Sequence, residues 1–106
     1  MSDKELRNLI EKVEALNLEK VESSELELLK DKLEDMYYEL GRRYDTIFSC
    51  YDDFRYHNSL WLRDPDKVFE IEADYKEKMR RTREKQKRVF SLYKRVYEEL
   101  KHRGLE

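Results

Sequence analysis

The chain has 106 residues, of which 45% are charged, with two Gly, one Pro and a net charge of −2. So few Gly and Pro leave few sites for tight turns, which excludes a many-stranded sheet and favours a few long helices. No stretch approaches the roughly 18–20 apolar residues of a membrane-spanning helix. We therefore expect no membrane partner. The single cysteine, Cys50, rules out an intrachain disulfide, so we expect a cytoplasmic protein.

At this length a single helical domain, 1–106, is expected. Lys, Arg and Glu dominate while Gln occurs once and Asn three times. This composition is found in thermophile proteins, but any solvated long helix shares it. By analogy alone, a small helical chain of this composition also resembles interaction proteins of viruses.

The first predicted helix covers about residues 3–16. Ser2 and Glu5 have the spacing of a capping box, in which each residue satisfies a free amide of the first helical turn. Behind them a single apolar stripe recurs at helical spacing: Leu6, Leu9, Ile10, Val13 and Leu16. We expect this stripe to pack on one half of the molecule, against Phe90, Tyr93 and Tyr97.

The apolar pattern then fails between residues 17 and 24, which predicts a turn. Because this stretch contains no Gly or Pro, a continuous helix is the alternative. Ser24 and Glu27 have the spacing of a second capping box, which places the next helix start at about residue 25.

The second and third helices are predicted at about residues 25–56 and 65–103. Asp64 before Pro65 is a typical helix start, and Gly104 is a typical end. Each helix carries a heptad-spaced seam with one extra four-residue step, at matching distances from the intervening loop. Positions whose numbers sum to 122 should face each other, so the pattern predicts a long, coiled-coil-like antiparallel hairpin.

Two polar residues, Thr82 and Gln86, interrupt the seam of the third helix. One interpretation is that the hairpin is half-exposed at this height. The other is that a buried polar contact fixes the register of the two helices, as it does in coiled coils.

Near the predicted loop, large apolar residues outnumber those that a two-helix seam can bury. They are Phe48, Tyr56, Trp61, Leu62 and Phe69. Exposed apolar clusters with Trp and Tyr mark interfaces, so we expect a homodimer held by these residues. The function expected is a non-enzymatic protein–protein interaction module, a small adaptor, regulator or inhibitor with an unidentified protein partner. The alternative at this end is a loop that folds back as a local cap.

Charge is unevenly distributed, with a net of −6 over residues 1–40, −3 over 41–75 and +7 over 76–106. The basic run 76–88 offers a nucleic-acid interface as the alternative function. Its candidate contacts are Lys76, Arg80, Arg81, Arg83, Lys87 and Arg88. No aromatic residue interleaves with the run to stack bases, and acidic residues elsewhere in the chain can pair with it.

Nothing in the sequence indicates catalysis, a cofactor or a metal. His57 and His102 fall at opposite ends of the predicted hairpin, and no nucleophile has a histidine placed beside it. Glu99 and His102 match the Glu-x-x-His spacing of helical metal sites, but such sites need two facing motifs. With two glycines there is also no phosphate-binding loop. We therefore expect no enzyme activity.

Overall fold

The computed structural model describes residues 2–57 and 63–105, and within these ranges every regular element is helical. In chain order they are α1 (Asp3–Glu14), a short 3₁₀ turn (Leu18–Lys20), α2 (Ser23–His57) and α3 (Pro65–His102). Helices α2 and α3 pack extensively against each other, and the short α1 touches α3. The predicted all-α hairpin with a short N-terminal helix is therefore confirmed.

The helix starts follow the side chains that cap them. The Ser2 hydroxyl accepts a hydrogen bond from the Glu5 amide at 3.2 Å, and the Glu5 carboxylate accepts one from the Ser2 amide at 3.4 Å. At α3 the Asp64 carboxylate accepts from the Lys67 amide at 3.2 Å. Both caps satisfy donors that the first turn of a helix leaves without a partner.

Helix α3 ends in a Schellman motif centred on Gly104, whose φ is +77°. The Leu105 amide donates to the Leu100 carbonyl and the Gly104 amide donates to the Lys101 carbonyl, both at 3.0 Å. Only glycine adopts this left-handed conformation without strain, so the predicted end of the helix is confirmed.

Just before that glycine, the Arg103 side chain reaches the segment between α1 and α2. Its guanidinium donates to the carbonyl oxygens of Leu18 and Glu19, at 2.9 and 3.2 Å, and to the Ser23 hydroxyl at 3.0 Å. A fourth bond, to Glu99 at 3.0 Å, holds the arginine in place. Four of the five guanidinium N–H donors are therefore engaged, and three of them join the end of α3 to the segment between α1 and α2.

The segment between α1 and α2 is a turn, as one of the two interpretations predicted. The Asn17 side chain accepts from the Glu19 amide at 3.3 Å and starts the 3₁₀ turn. The predicted capping box at Ser24 is wrong, because α2 already begins at Ser23 and the Leu26 amide bonds the Glu22 carbonyl. Helix α2 therefore begins about two residues earlier than predicted.

The described residues divide into two compact units: unit 1 (Met1–Tyr38 and Gln86–Glu106) and unit 2 (Glu39–Lys85). The buried apolar core of unit 1 comprises Leu6, Ile10, Val13, Leu26, Leu33, Met36, Val89, Leu92, Val96 and Leu100. All three helices contribute to it. Unit 1 thus has a core of the kind found in a three-helix bundle.

The predicted partners of α1 are partly wrong. Phe90 and Tyr97 are exposed, at 48% and 38%, whereas Leu92 is buried. The α1 stripe itself is buried at Leu6, Ile10 and Val13. Because Arg88 of α3 forms an ion pair with Glu14 of α1, α1 lies on the Arg88 side of α3. Residues two positions apart point in nearly opposite directions on a helix, so Leu92 rather than Phe90 faces the core.

Unit 2 has a much thinner core. Its described residues come from α2 and α3 alone, and only Leu40, Tyr51 and Val68 are buried. The rest of its seam is half-buried: Tyr44, Ile47, Phe54, Ile71, Tyr75, Met79 and Thr82. Two helices therefore leave this seam partly open to solvent.

Contacts across the hairpin support the predicted register, with a shift for long side chains. Gln86, expected opposite Met36, is buried and donates to the carbonyl oxygen of the adjacent Tyr37 at 3.2 Å. In unit 2 the Tyr75 ring, predicted to lie opposite Ile47, packs against the rings of Tyr51 and Phe54. Side chains lean towards the N-terminus of their own helix, which carries the Tyr75 ring about one turn along α2.

The two polar seam residues therefore behave differently. Gln86 makes the cross-helix contact that a register-setting residue needs. Thr82 donates to the Lys78 carbonyl of its own helix at 2.9 Å and is half-buried. Each interpretation thus holds for one of them.

Candidate functional site

Three of the predicted interface residues are exposed on unit 2, and we refer to them as the tip patch: Phe48, Tyr56 and Phe69. Their exposed fractions are 49%, 70% and 59%. The other two predicted interface residues, Trp61 and Leu62, lie outside the described residues, as does the proposed loop cap. The tip patch thus has the exposure that an interface requires.

Within the seam of unit 2, aromatic rings pack on one another. The Tyr75 ring centroid is 5.9 Å from that of Tyr51 and 5.9 Å from that of Phe54, within the usual range for aromatic pairs. Tyr44 is covered by the guanidinium of Arg83, 3.8 Å from the ring centroid. Cation–π stacking of this kind stabilises a ring that is only half-buried.

The predicted nucleic-acid contacts are largely engaged within the chain. Arg80 bonds Glu77 at 2.6 and 3.0 Å and also pairs with Glu84, while Arg81 shares Glu77 at 3.0 Å. The hydrogen bond from Arg80 is the main cause that lowers the pKa of Glu77 to about 2; partial desolvation raises this pKa, and the bond from Arg81 lowers it further. The same carboxylates raise the pKa of Arg80.

The remaining candidates of the basic run are mostly paired as well. Lys76 lies 3.3 Å from Glu72, Arg83 stacks on Tyr44, and Arg88 pairs with Glu14. Exposed ion pairs contribute little stability, so a phosphate could displace them. Most cations of the run are therefore paired and do not form a bare row.

A shallow aromatic groove on unit 1 is a candidate that the sequence interpretation missed. A cavity of about 130 Å³ is lined by Glu34, Tyr37, Tyr38, Phe90 and Tyr93. The Tyr37 ring centroid lies 5.7 Å from that of Tyr38 and 5.8 Å from that of Phe90. Of the lining residues, Phe90 and Tyr93 were expected to pack against α1. The seven-residue spacing of Phe90 and Tyr97 was the available signal of a second stripe beside the seam.

No metal centre or membrane span is found in the described ranges. Residues 2–57 and 63–105 contain no group of three or more His, Cys, Asp or Glu placed to hold a metal ion. No helix in the same ranges is long and apolar enough to cross a membrane. Cys50 is an exposed free thiol.

Comparison with protein-family models, with curated proteins and with solved structures finds no match to this chain.

Proposed function

We propose that this chain is a non-enzymatic protein–protein interaction module that acts as a homodimer, with unit 2 as its contact surface. The observation that carries the proposal is the half-open core of unit 2. Its seam is half-buried while the tip patch stays exposed. A soluble domain normally covers such a surface with another layer of structure.

A second copy of the chain can supply that layer. Closed two-fold pairing is the commonest form of association, and two hairpins packed together give four helices around one core. Each square ångström of apolar surface removed from water contributes about 25 cal/mol. Aromatic side chains are enriched at interface cores, and Phe48, Tyr56 and Phe69 would supply them here.

The test is the mass of the protein in solution, measured by light scattering during size-exclusion chromatography. We expect twice the 13.2 kDa of one chain. Phe69→Glu should give a monomer. Leu28→Glu is the matched control, because Leu28 is similarly exposed, at 66%, but belongs to unit 1; it should leave the dimer intact.

Two results would contradict the proposal. One is a wild-type monomer at about 100 µM, a concentration that populates even an association of about 5.5 kcal/mol. The other is equal behaviour of the Phe69 and Leu28 variants, which would exclude the tip patch as the interface. Dimerisation also leaves room for another protein partner, because an adaptor or inhibitor can bind through its remaining surface.

Nucleic-acid binding by the basic run is the less supported alternative. Lys76, Arg80 and Arg83 follow helical spacing and share one side of α3, as a phosphate-binding stripe would. Arg80 and Arg83 are, however, already held by Glu77 and Tyr44. Titration with duplex and single-stranded DNA or RNA at increasing salt decides this alternative. Affinity that falls steeply with salt would support it, and no binding at low salt would remove it.

A further inference from the structure

The aromatic groove of unit 1 lies between two rims of opposite charge. The rim on α2 is acidic and consists of the exposed residues Glu27, Asp31 and Glu34. The rim on α3 is basic and consists of the exposed residues Lys87, Lys94 and Lys101. Phe90 and Tyr38 between them are also exposed. The groove is therefore an apolar strip with a negative border and a positive border.

The spacing of these charges is regular. Lys87, Lys94 and Lys101 recur every seven residues, and Glu27 and Glu34 do so on the other helix. In helical bundles this is the spacing of charges that flank an apolar contact and select the partner helix. The one basic residue on this side of α2 is Lys30, which is half-buried. The rim pattern thus extends over about two turns of α2 and about four turns of α3.

We propose that a second copy of the chain covers this groove, turned about a two-fold axis that runs parallel to the helices. The proposal rests on the homodimer proposed above and adds a contact surface and an orientation to it. In this arrangement α2 of each copy lies opposite α3 of the other. The acidic rim of one copy then meets the basic rim of its partner, twice in each dimer.

The charges select this axis over the alternative one. A two-fold axis perpendicular to the helices would place α2 on α2, which brings two acidic rims together, and α3 on α3, which brings two basic rims together. Juxtaposed like charges disfavour that packing and suppress it as a competing state. Either axis makes the facing helices antiparallel, as in four-helix bundles, so the charges alone distinguish the two arrangements.

The size of the groove fits the same occupant. At about 130 Å³ it is well below the ~300–1,000 Å³ of pockets for drug-sized ligands. It can take one side chain, such as an aromatic ring from the facing groove of the second copy. Tyrosine-rich strips of this kind suit interfaces because each ring has an apolar body and a polar end.

Two charge-reversed variants test the proposal. Glu27→Lys with Glu34→Lys makes both rims of the groove basic, and Lys87→Glu with Lys94→Glu makes both rims acidic. Each variant alone should have the mass of a monomer at concentrations where the wild type is a dimer. An equimolar mixture should regain the dimer mass, because each rim then faces its opposite. Glu25→Lys with Asp35→Lys, which changes the same charge elsewhere on α2, should remain a dimer.

A loss of folding is separated from a loss of association by two measurements. Circular dichroism should show unchanged helicity in each variant. In about 1 M salt, where the Debye length is roughly 3 Å, each variant alone should shift back towards the dimer. A misfolded chain would do neither.

The outcomes also separate this inference from the proposed function. If both variants remain dimers alone, the groove is not covered by a second copy, and the dimer through unit 2 stands by itself. If both are monomers but the mixture is too, the charged rims do not face each other across the groove and the inference is overturned. If the wild type is a monomer, the proposed function and the inference fail together.

Discussion

The same two helices, α2 and α3, build a closed core in unit 1 and a half-open one in unit 2. Both units carry apolar residues at heptad spacing, so the seams alone do not account for the difference. In unit 1, α1 adds Leu6, Ile10 and Val13 to the core, and ten apolar side chains are buried. In the described part of unit 2 only three are. A two-helix seam therefore becomes a core only when a third element covers it.

The chemistry of the two seams matches their exposure. In unit 1 the seam is mostly aliphatic, with Leu33 and Val96 fully buried. In unit 2 it is rich in side chains that combine an apolar body with a polar end, such as Tyr44 and Tyr75. Such residues tolerate contact with water on one side and also serve at interfaces. Unit 2 is thus suited both to partial exposure and to later burial by a partner.

Removing α1 should have the largest effect, because it makes unit 1 resemble unit 2. Deletion of residues 1–20 removes three buried aliphatic side chains worth about 1.5–3 kcal/mol each, offset in part by the entropy of ordering the segment. We expect the Tm to fall by more than about 10 °C while α2 and α3 stay helical. Thermal unfolding followed by circular dichroism measures both. An unchanged Tm would mean that α1 contributes nothing to the core.

Truncation of single seam residues should show the next largest difference between the units. Leu33→Ala in unit 1 should lower the free energy of unfolding by about 2–5 kcal/mol, because it empties a fully buried site. Ile47→Ala in half-buried unit 2 should lower it by less than about 2 kcal/mol. Both are measured by urea denaturation in the Phe69→Glu background, which removes the proposed dimer contact. Equal losses would show that unit 2 is as well packed as unit 1.

The smallest expected effect on stability comes from the ion pairs of Glu77 with Arg80 and Arg81 in unit 2. The pKa of Glu77 in the folded chain, about 2, lies below its ordinary value of 4.5. Its stabilising contribution is therefore present above pH 4.5 and is lost as the pH falls towards 2. Glu77→Gln should make the Tm less sensitive to pH in this window than it is in the wild type. If the two curves run parallel, the arginine contacts of Glu77 do not stabilise the fold.

Much of the fold could be predicted because local signals and the seam agree. Ser2, Asp64 and Gly104 mark helix ends through their own side-chain or backbone chemistry, and the structure uses all three. The heptad pattern correctly paired α2 with α3, since the hairpin buries the residues that it repeats. The face of α3 that α1 covers could not be predicted, because Leu92 and Phe90 are both apolar neighbours of the seam. The choice between them depends on where α1 docks, and Glu14 was only one of several acidic residues that the sequence offered as partners of the basic run.

The candidate surfaces were predictable only in part. The sequence has more large apolar residues near the loop than a two-helix seam can bury, and this excess predicted the exposure of Phe48, Tyr56 and Phe69. The groove at Tyr37 and Phe90 was missed because aromatic residues next to a seam predict packing and binding equally well. Pairing of the basic run with acidic residues was expected, but the particular bonds of Arg80 to Glu77 and Glu84 could not be predicted because they depend on side-chain conformations.

The two units also differ in the number of chain segments that form them, and this difference has a consequence for folding. Unit 2 is one continuous segment, Glu39–Lys85, whereas unit 1 combines the two ends of the chain. The Arg103 bonds to Leu18, Glu19 and Ser23 join positions more than 79 residues apart. Contacts this distant carry a larger loop-closure entropy and form late. During synthesis, the core of unit 1 therefore cannot close around α1 until the last residues of α3 have been made.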